Sequence, residues 1–359
     1  MKIKNIVLGS IWLAVLCMNC KKDPEPDPFV TIKDSNFLNA LISLGFDLNG
    51  DGRISKTEAE AVTDLCLNDA SISDMAGIEA FVNLNDLRCG WNSITRLDVS
   101  HMTSLTYLEC PYNKITSLDI SKNTALENLY CSDNKLTTLD VSKNISLEML
   151  NCSSNKLTHL DISNNNLLTA LSCGDNQLTS LDVSNLDFLT YLECYINQLI
   201  TLDISNNLAL EILWCSTNPL SILDISNNVA LVRLWCFENL LTTLDVSNCL
   251  ALEWLNCQIN LLSSLDVSNN YALSNLSCGS NQLTSLNVTN NPGLTLLECG
   301  SNQLTTLDIS ANTALTTLFL TYMPALYKVC VWTMPFPPAG INVDIMNSPN
   351  VVFTLDCSK

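Results

Sequence analysis

Apolar residues recur along most of the chain with a fixed period of 21 residues. The tetrapeptide LDVS or LDIS begins at Leu97 and returns at every step to Leu307, although at Leu286 it becomes LNVT. Cysteines keep the same step from Cys89 to Cys299, and an asparagine follows each of them three residues later. One unit reads L-x-x-L-x-C-x-x-N-x-L-x-x-L-D-[VI]-S-x-N-x-x, and its eleven copies predict a stacked repeat architecture.

The polar and apolar positions within one unit predict its local structure. In L-x-C the alternation places Leu and Cys on one side of a short strand and the intervening residue on the other. Parallel stacking of such strands, about 4.8 Å apart, would bury every Leu and Cys in one continuous core. The repeated Asn suits a ladder of side-chain amides that hydrogen-bond the backbone of neighbouring turns. The Asp and Ser of LDVS flank an inward Val or Ile, which indicates that they cap the returning turn; a string of cation sites from Asp98 to Asp308 is the alternative.

This unit resembles the leucine-rich repeat family, with cysteine in the third apolar place of the strand signature. The resemblance implies an α/β-type solenoid over residues 65–322, a right-handed superhelix with a parallel concave β-sheet. Leu65 and Leu67 lie 22 residues before the corresponding pair in the next unit and mark a first, atypical repeat. Its sequence ISDMAGIEAFVNL resembles the first repeat of internalin-like proteins. The period is lost over residues 323–359, where β-formers and prolines indicate an irregular β cap for the open end of the core.

The chain has seventeen cysteines, which raises the question of disulfides or metal sites. Ladder neighbours on adjacent strands would lie at about the strand separation, farther apart than the Cβ atoms of a disulfide. We therefore interpret them as small, buried apolar residues. One thiol per layer in a dry core also offers no tetrahedral set for zinc. Cys330 and Cys357 lie outside the repeats, and in an exported protein they are candidates for a disulfide that closes the C-terminal cap.

The N-terminal end differs in character from the rest of the chain. Lys2 and Lys4 precede the apolar run IVLGSIWLAVLCM, which leads to Cys20 and is short for a transmembrane helix, so residues 1–20 are predicted to be a secretory signal. Residues 21–30, which begin with KKDPEPDP, are predicted to be a disordered tether. This order resembles a bacterial lipoprotein precursor, which implies lipidation of Cys20 and exposure at the outer-membrane surface. Simple secretion is the alternative, because the CMN before Cys20 matches the small-residue lipobox poorly.

The stretch DLNGDGRISKTE, residues 47–58, matches the calcium loop of an EF-hand position by position. Gly52 supplies the sharp turn, and Ile54 is the inward hydrophobe. The sequence contains no second loop, whereas EF-hand sensors pair two. Residues 31–64 are therefore predicted to form a helical cap over the first repeat, held by structural Ca²⁺. The expected ligands are Asp47, Asn49, Asp51, the backbone carbonyl of Arg53, Ser55 and Glu58.

Residues that flank Leu and Cys in each unit are expected to face the concave surface of the sheet. Most are small or polar, but large aromatic residues cluster on consecutive strands in the middle of the array. An exposed aromatic patch costs solubility unless it is used, and aromatic anchors beside Arg and Glu match a binding hot spot. Bulky residues that fill a tightly curved face, or that pack against a cap or a second copy, are the alternative. The candidate ligand-binding residues are Tyr191, Glu193, Tyr195, Trp214, Arg233, Trp235, Phe237 and Trp254.

Charge and residue usage exclude several functions. The formal net charge is −19, so no basic stripe is available to neutralise nucleic-acid phosphates. Neither of the two histidines lies among clustered carboxylates or cysteines, and no Ser/His/Asp set or phosphate loop is present, so an enzyme is not expected. We expect a monomeric cell-surface or secreted protein that binds a protein or a glycan and contacts the membrane only through its lipid anchor. The internalin-like resemblance implies adhesion or host interaction; a structural envelope lipoprotein without a specific ligand is the alternative.

Overall fold

The structure, a computed structural model, describes residues 29–357, which begin with a small helical cap. Helix α1, Ser35–Ser43, is N-capped by Asp34, whose side chain accepts hydrogen bonds from two backbone N–H groups of the first turn. Helix α2, Lys56–Glu60, follows the DLNGDGRISKTE loop and begins with a capping box between Ser55 and Glu58. A short 3-10 helix, Ile78–Ala80, lies in the first repeat.

Short parallel strands recur through the rest of the described chain, one per repeat as far as residue 298 and more closely spaced after it. The strands are β1 (Asp64–Cys66), β2 (Asp86–Arg88), β3 (Tyr107–Glu109), β4 (Asn128–Tyr130), β5 (Met149–Asn151), β6 (Ala170–Ser172), β7 (Tyr191–Glu193), β8 (Ile212–Trp214), β9 (Arg233–Trp235), β10 (Trp254–Asn256), β11 (Asn275–Ser277), β12 (Leu296–Glu298), β13 (Thr306–Asp308), β14 (Thr317–Phe319), β15 (Lys328–Cys330), β16 (Asn342–Asp344) and β17 (Val352–Thr354). Strands β1 to β12 continue through β14 and β16 as one sheet in sequence order, and β13, β15 and β17 form a second sheet. The predicted solenoid with a helical N-terminal cap and an irregular β cap at the C-terminal end is confirmed.

The strand register produces one continuous core. The central leucines of neighbouring strands lie opposite one another, as Leu192, Leu213 and Leu234 do. The cysteine two residues after each central leucine points to the same side and is buried from Cys89 to Cys299. These ladder cysteines are free thiols whose pKa is raised by burial, so they remain neutral inside the core. The predicted role of cysteine as a buried apolar residue is confirmed.

The asparagine three residues after each ladder cysteine ties its repeat to the preceding one. Asn197 Nδ2 donates to the carbonyl oxygens of Cys173 at 3.1 Å and Cys194 at 3.2 Å. It also donates to the carbonyl oxygen of Tyr195 at 3.2 Å, while its Oδ1 accepts a 2.9 Å hydrogen bond from the N–H of Leu178. The predicted asparagine ladder is confirmed.

A second asparagine ladder follows the LDVS tetrapeptide and was not predicted. Asn207 is fully buried, and its Nδ2 donates to the carbonyl oxygens of Val183 and Leu186, both at 2.9 Å. Its Oδ1 has no hydrogen-bond partner among the described atoms. The other asparagines with this arrangement are Asn123, Asn144, Asn165, Asn228, Asn270, Asn291 and Asn312.

The aspartate of the tetrapeptide caps the turn that follows it, as predicted. Asp182 Oδ1 accepts a 3.0 Å hydrogen bond from the N–H of Ser184, and Asp224 accepts one of 2.9 Å from Ser226. Hydrogen bonds to these serines lower the pKa of both carboxyl groups, so they are ionised at neutral pH.

The C-terminal cap replaces the ladder with other contacts. Met323 stands 21 residues after Asn302, where the next ladder asparagine would be. Its N–H donates to the Oγ of the buried Ser348 at 2.8 Å, and the Ser348 hydroxyl donates to the carbonyl oxygen of Leu320 at 2.5 Å. The backbone at the end of the solenoid is thus satisfied by a residue outside the repeat pattern.

Candidate functional site

Four aromatic side chains, Tyr195, Trp214, Trp235 and Trp254, form a continuous row along the sheet; we call them the aromatic row. Strands β7 to β10 pair in register, so equivalent positions lie about one strand spacing apart. Tyr195 stacks on Trp214 with ring centroids 4.4 Å apart, and Trp235 lies 5.8 Å from Trp214 and 6.0 Å from Trp254. Stacked and tilted pairs of this kind are favourable, so the rings hold one another in place. Trp254 is 38% exposed.

A glycine positions the first ring of the row. A Cβ atom on Gly174 would lie 2.5 Å from the nearest ring atom of Tyr195, so only glycine leaves room for the tyrosine to lean over the preceding repeat. Trp214 then stacks on this tilted ring. Its Nε1 is buried and donates to no acceptor among residues 29–357.

Charged side chains lie on both sides of the aromatic row. Glu193 accepts hydrogen bonds from the hydroxyls of Tyr191 and Ser172, the latter at 2.9 Å. Burial, together with the Glu193 carboxylate, raises the pKa of Tyr191 well above its ordinary value. Arg233 is exposed on β9, and Phe237 is half-buried just beyond that strand. The structure therefore brings all eight candidate ligand-binding residues together on four adjacent repeats.

A depression of about 580 Å³ adjoins the aromatic row and was not singled out from the sequence. Trp91 and Tyr112 stack at one part of its wall with centroids 5.4 Å apart, and Tyr107 and Tyr130 lie 5.5 Å apart at another. Tyr195 belongs both to this depression and to the aromatic row. Trp91 and Tyr112 have left-handed backbone conformations, each with φ 52°. Each lies one residue beyond the positions flanking Leu and Cys that were expected to face the concave surface. Comparison of that one position across repeats would have found them.

The DLNGDGRISKTE loop is organised around its first and last acidic residues. Asp47 accepts hydrogen bonds from the N–H groups of Gly50 at 2.8 Å and Gly52 at 2.9 Å. Both glycines are left-handed, with φ 73° and 77°, which permits the tight turn. Glu58 is buried and accepts 2.8 Å hydrogen bonds from the N–H groups of Leu48 and Ser55. The carboxylates at the two ends of the loop are therefore held by the loop backbone itself.

The donor set of this loop fits calcium chemically. Ca²⁺ prefers six to eight oxygen ligands, and carboxylate, amide, hydroxyl and carbonyl oxygens recur at the alternate positions that such loops use. Burial disfavours the charged form of Glu58, but backbone hydrogen bonds outweigh this effect and lower the pKa of the carboxyl group, so it is ionised at neutral pH. The residues that would hold the ion are Asp47, Asn49, Asp51, Arg53 through its carbonyl, Ser55 and Glu58.

The segment before α1 is bonded to the loop, and the start of α1 is bonded to the first repeat. The N–H of Val30 donates to the carbonyl oxygen of Ile54 at 2.8 Å, which pairs the loop with the incoming chain. Asp34 Oδ2 accepts hydrogen bonds from the N–H and hydroxyl of Ser73 at 2.8 and 2.7 Å and from the N–H of Asp74 at 3.0 Å. Burial opposes ionisation of Asp34, but these hydrogen bonds prevail and lower its pKa to about 2.

The remaining predicted positions lie at the ends of the chain. Cys330 on β15 and Cys357 are joined by a disulfide, with their Cα atoms 5.4 Å apart. The described residues do not include the predicted signal sequence, Cys20 or residues 21–28 of the predicted tether. None of the helices in residues 29–357 has the length and apolar character needed to cross a bilayer.

No protein-family model matches the chain. A 70-residue segment, 20% of the chain, is 38% identical to Internalin J of Listeria monocytogenes serotype 4b, and this segment is 8% of the length of that protein. The solved functional domain of Listeria monocytogenes InlJ, which includes a cysteine ladder, matches 83% of this chain and is itself covered to 74%, with 32% identity and a TM-score of 0.65. The cysteine ladder is thus shared with this relative.

Two more distant structures share the fold. A Listeria monocytogenes internalin, inlF, has a TM-score of 0.65 and 23% identity over 86% of this chain and 94% of its own. The plant peptide hormone receptor RGFR1, solved in complex with RGF2, has a TM-score of 0.61 and 18% identity over 82% of this chain and 66% of its own.

Proposed function

From the premise that the chain belongs to the internalin-like leucine-rich repeat proteins, we propose that it is a binding protein, not an enzyme, that contacts a protein ligand through the aromatic row. The mutual contact of Tyr195, Trp214, Trp235 and Trp254 carries this proposal. Large rings fixed on adjacent strands lose little conformational freedom on binding, and such residues dominate the energy of protein interfaces. Protein binding on a solenoid of this fold has a precedent in the peptide hormone receptor.

A double variant tests this role. The Trp214→Ala, Trp235→Ala protein removes the centre of the row, and a Tyr271→Ala, Tyr322→Ala protein serves as the matched control, because both of these rings are exposed elsewhere on the solenoid. A random peptide-display library and a glycan array are probed with each folded protein. We expect peptide ligands whose affinity falls about tenfold or more in the tryptophan variant and stays within about twofold in the control.

Other outcomes identify the alternatives. Full binding by the folded tryptophan variant would refute the aromatic row as the site. Selective glycan ligands that require the two tryptophans would change the ligand class from protein to glycan. The absence of any selective ligand on both surfaces would favour a structural envelope role.

For localisation, we propose a surface protein held at the outer membrane by a lipid on Cys20, because the sequence around this residue resembles a lipoprotein precursor. Adhesion or host interaction is the role that fits such a position. Labelling of cells with a clickable fatty acid should mark the wild-type protein and leave the Cys20→Ala variant unmarked. Release of an unlabelled protein into the medium would instead support secretion.

For the cap, we propose that the DLNGDGRISKTE loop holds one structural Ca²⁺. The loop lies between α1 and α2, and Asp34 at the start of α1 is bonded to the first repeat. An ion bound here would stiffen the contact between cap and solenoid and would not itself be the recognition element. Binding of the ion is therefore expected to raise the melting temperature of the protein.

A further inference from the structure

The depression beside the aromatic row exists because small residues separate two groups of rings. Tyr112 and Tyr195 belong to repeats four steps apart, roughly 19 Å along the sheet at 4.8 Å per strand. Between them, the position after the ladder cysteine is occupied by Ser132 and Ser153, which line the depression, and then by Gly174 beneath Tyr195. The concave face is therefore open over these repeats and walled by aromatic rings at both sides.

Three carboxylates line this depression, from Glu109, Asp133 and Glu193, and its lining as the structure describes it contains no Lys, Arg or His. Glu109 accepts hydrogen bonds from neutral donors, the Tyr107 hydroxyl at 3.2 Å and the Asn68 amide at 3.1 Å. The donors to Glu193 are hydroxyl groups as well. No cation in the described lining neutralises this negative charge; Arg88, which lies outside the lining, interacts electrostatically with Glu109.

The tyrosines in the depression sense this charge. Burial, followed by the Glu109 carboxylate, raises the pKa of Tyr107 to about 12. The pKa of Tyr195 is raised by burial and by the carboxylates of Glu193 and two aspartates. Burial is the larger cause of each shift, and the carboxylates add a negative potential that favours a positive charge.

A buried hydroxyl group belongs to the lining of the same space. Ser153 is 6% exposed and lines the depression, and its Oγ has no hydrogen-bond partner in the described part of the chain. Buried polar groups in native structures are nearly always bonded, so the depression keeps one hydrogen-bonding group unused. It is independent of the carboxylates, because it is neutral and lies between the two walls.

One ring of the wall already holds a cation on one face. The guanidinium carbon of Arg88 lies 4.7 Å from the centroid of the Tyr107 ring. Arg88 is fixed there by a 2.7 Å salt bridge to Asp86 and is not part of the lining. The geometry of this wall is therefore compatible with cation–π contact by a long basic side chain.

We propose that this depression binds an Arg or Lys side chain of the protein ligand, and that an apolar part of the same ligand contacts the aromatic row. The proposal rests on the function proposed for the concave face and specifies the chemistry of its partner. Aromatic faces attract a cation through the ring quadrupole, and the half-buried carboxylates attract it by Coulomb interaction. A neutral sugar would gain from the rings alone and would leave the three carboxylates uncompensated.

The test uses the full chain and a fluorescein-labelled heptapeptide that contains two arginines, compared with the same peptide carrying citrulline at both positions. Citrulline keeps the shape of arginine and removes its charge. The Glu109→Gln, Glu193→Gln variant removes two charges from the depression with little change of volume. The control, Asp224→Asn, Asp245→Asn, removes two charges from exposed turn positions whose Oδ1 atoms each accept one backbone hydrogen bond.

Fluorescence anisotropy should show the arginine peptide bound to the wild type about tenfold or more tighter than the citrulline peptide. The glutamine variant should lose this preference, and the control should keep it within about twofold. Equal binding of the two peptides, no binding of the arginine peptide at about 1 mM, or an equal loss in the control would each overturn the proposal. If ligand binding requires Trp214 and Trp235 but is unchanged in the glutamine variant, the proposed function stands and this inference is wrong.

Discussion

Truncation of Asn197 should destabilise the protein far more than truncation of Asn207 or Asn185, although all three asparagines lie within two neighbouring repeats. Asn197 and Asn207 are both buried, so replacement by alanine removes the same atoms and leaves similar cavities. Asn185 is exposed; its Nδ2 donates a 2.9 Å hydrogen bond to the carbonyl oxygen of Ser163, and its Oδ1 accepts one of 3.1 Å from the Ser184 hydroxyl. The difference between the variants therefore isolates the hydrogen bonds of each ladder.

The loss of stability in Asn197→Ala comes mainly from one hydrogen-bond donor that loses its acceptor. The buried N–H of Leu178 has Asn197 Oδ1 as its acceptor, and alanine leaves it unpaired, which costs about 1–3 kcal/mol. The three carbonyl oxygens that lose a bond each keep a second donor, Asn176 for Cys173, Asn218 for Cys194 and Asp175 for Tyr195. We expect a total loss of about 2–4 kcal/mol in the free energy of unfolding.

The loss of stability in Asn207→Ala is smaller, because none of its hydrogen-bond partners becomes unpaired. The carbonyl oxygens of Val183 and Leu186 keep backbone donors at 3.1 and 3.2 Å, and the unpartnered Oδ1 of Asn207 is removed with the side chain. We expect about 1–2 kcal/mol for Asn207→Ala and less than about 0.5 kcal/mol for Asn185→Ala.

Urea unfolding followed by tryptophan fluorescence measures the series, with equal slopes required before the free energies are compared. An Asn207→Ala cost equal to or above that of Asn197→Ala would show that the unpaired N–H is not the dominant contribution. A comparable loss at Asn185 would refute the assignment of the energy to buried bonds.

Three further predictions concern the cap and the aromatic row. Addition of Ca²⁺ after EDTA should raise the melting temperature, and Asp51→Asn should remove most of this gain; equal melting temperatures with and without Ca²⁺ in the wild type would contradict the calcium loop. The pKa of Asp34 falls from 3.8 to about 2 on folding, so its contribution to stability is present above pH 3.8 and is lost as the pH falls towards 2. In acid titrations the stability difference between wild type and Asp34→Asn should therefore shrink over that interval. A constant difference would refute this assignment. Gly174→Ala should weaken arginine-peptide binding several-fold by displacing Tyr195, whereas Gly293→Ala, where the nearest atom is 3.8 Å away, should not; unchanged affinity in both would separate Tyr195 from the site.

The repeat architecture and the aromatic row follow from sequence because they depend on a single period. Once one strand is placed by the alternation of Leu and Cys, every residue 21 positions away occupies the same place in the next layer. That rule put Trp214 and Trp235 on adjacent strands, and their rings are in contact.

The depression could not be predicted from the 21-residue period, for two physical reasons. Trp91 and Tyr112 lie beyond the strands, on left-handed residues whose side-chain direction alternation does not describe. The space is open because Ser132, Ser153 and Gly174 carry small side chains or none, and because Tyr195 leans over Gly174. Such a cavity depends on several repeats at once, whereas each repeat taken separately shows only small polar residues.

The two asparagine ladders give the solenoid a polarity that its symmetric appearance conceals. The side-chain amides of the two ladders bond residues 19 to 25 positions earlier in the chain, so a layer is fastened by the repeat that follows it. Truncation from the C-terminal end therefore leaves the last remaining layer without the amides that fasten it. Loss of the helical cap leaves those amides in place and instead exposes the apolar face of the first repeat.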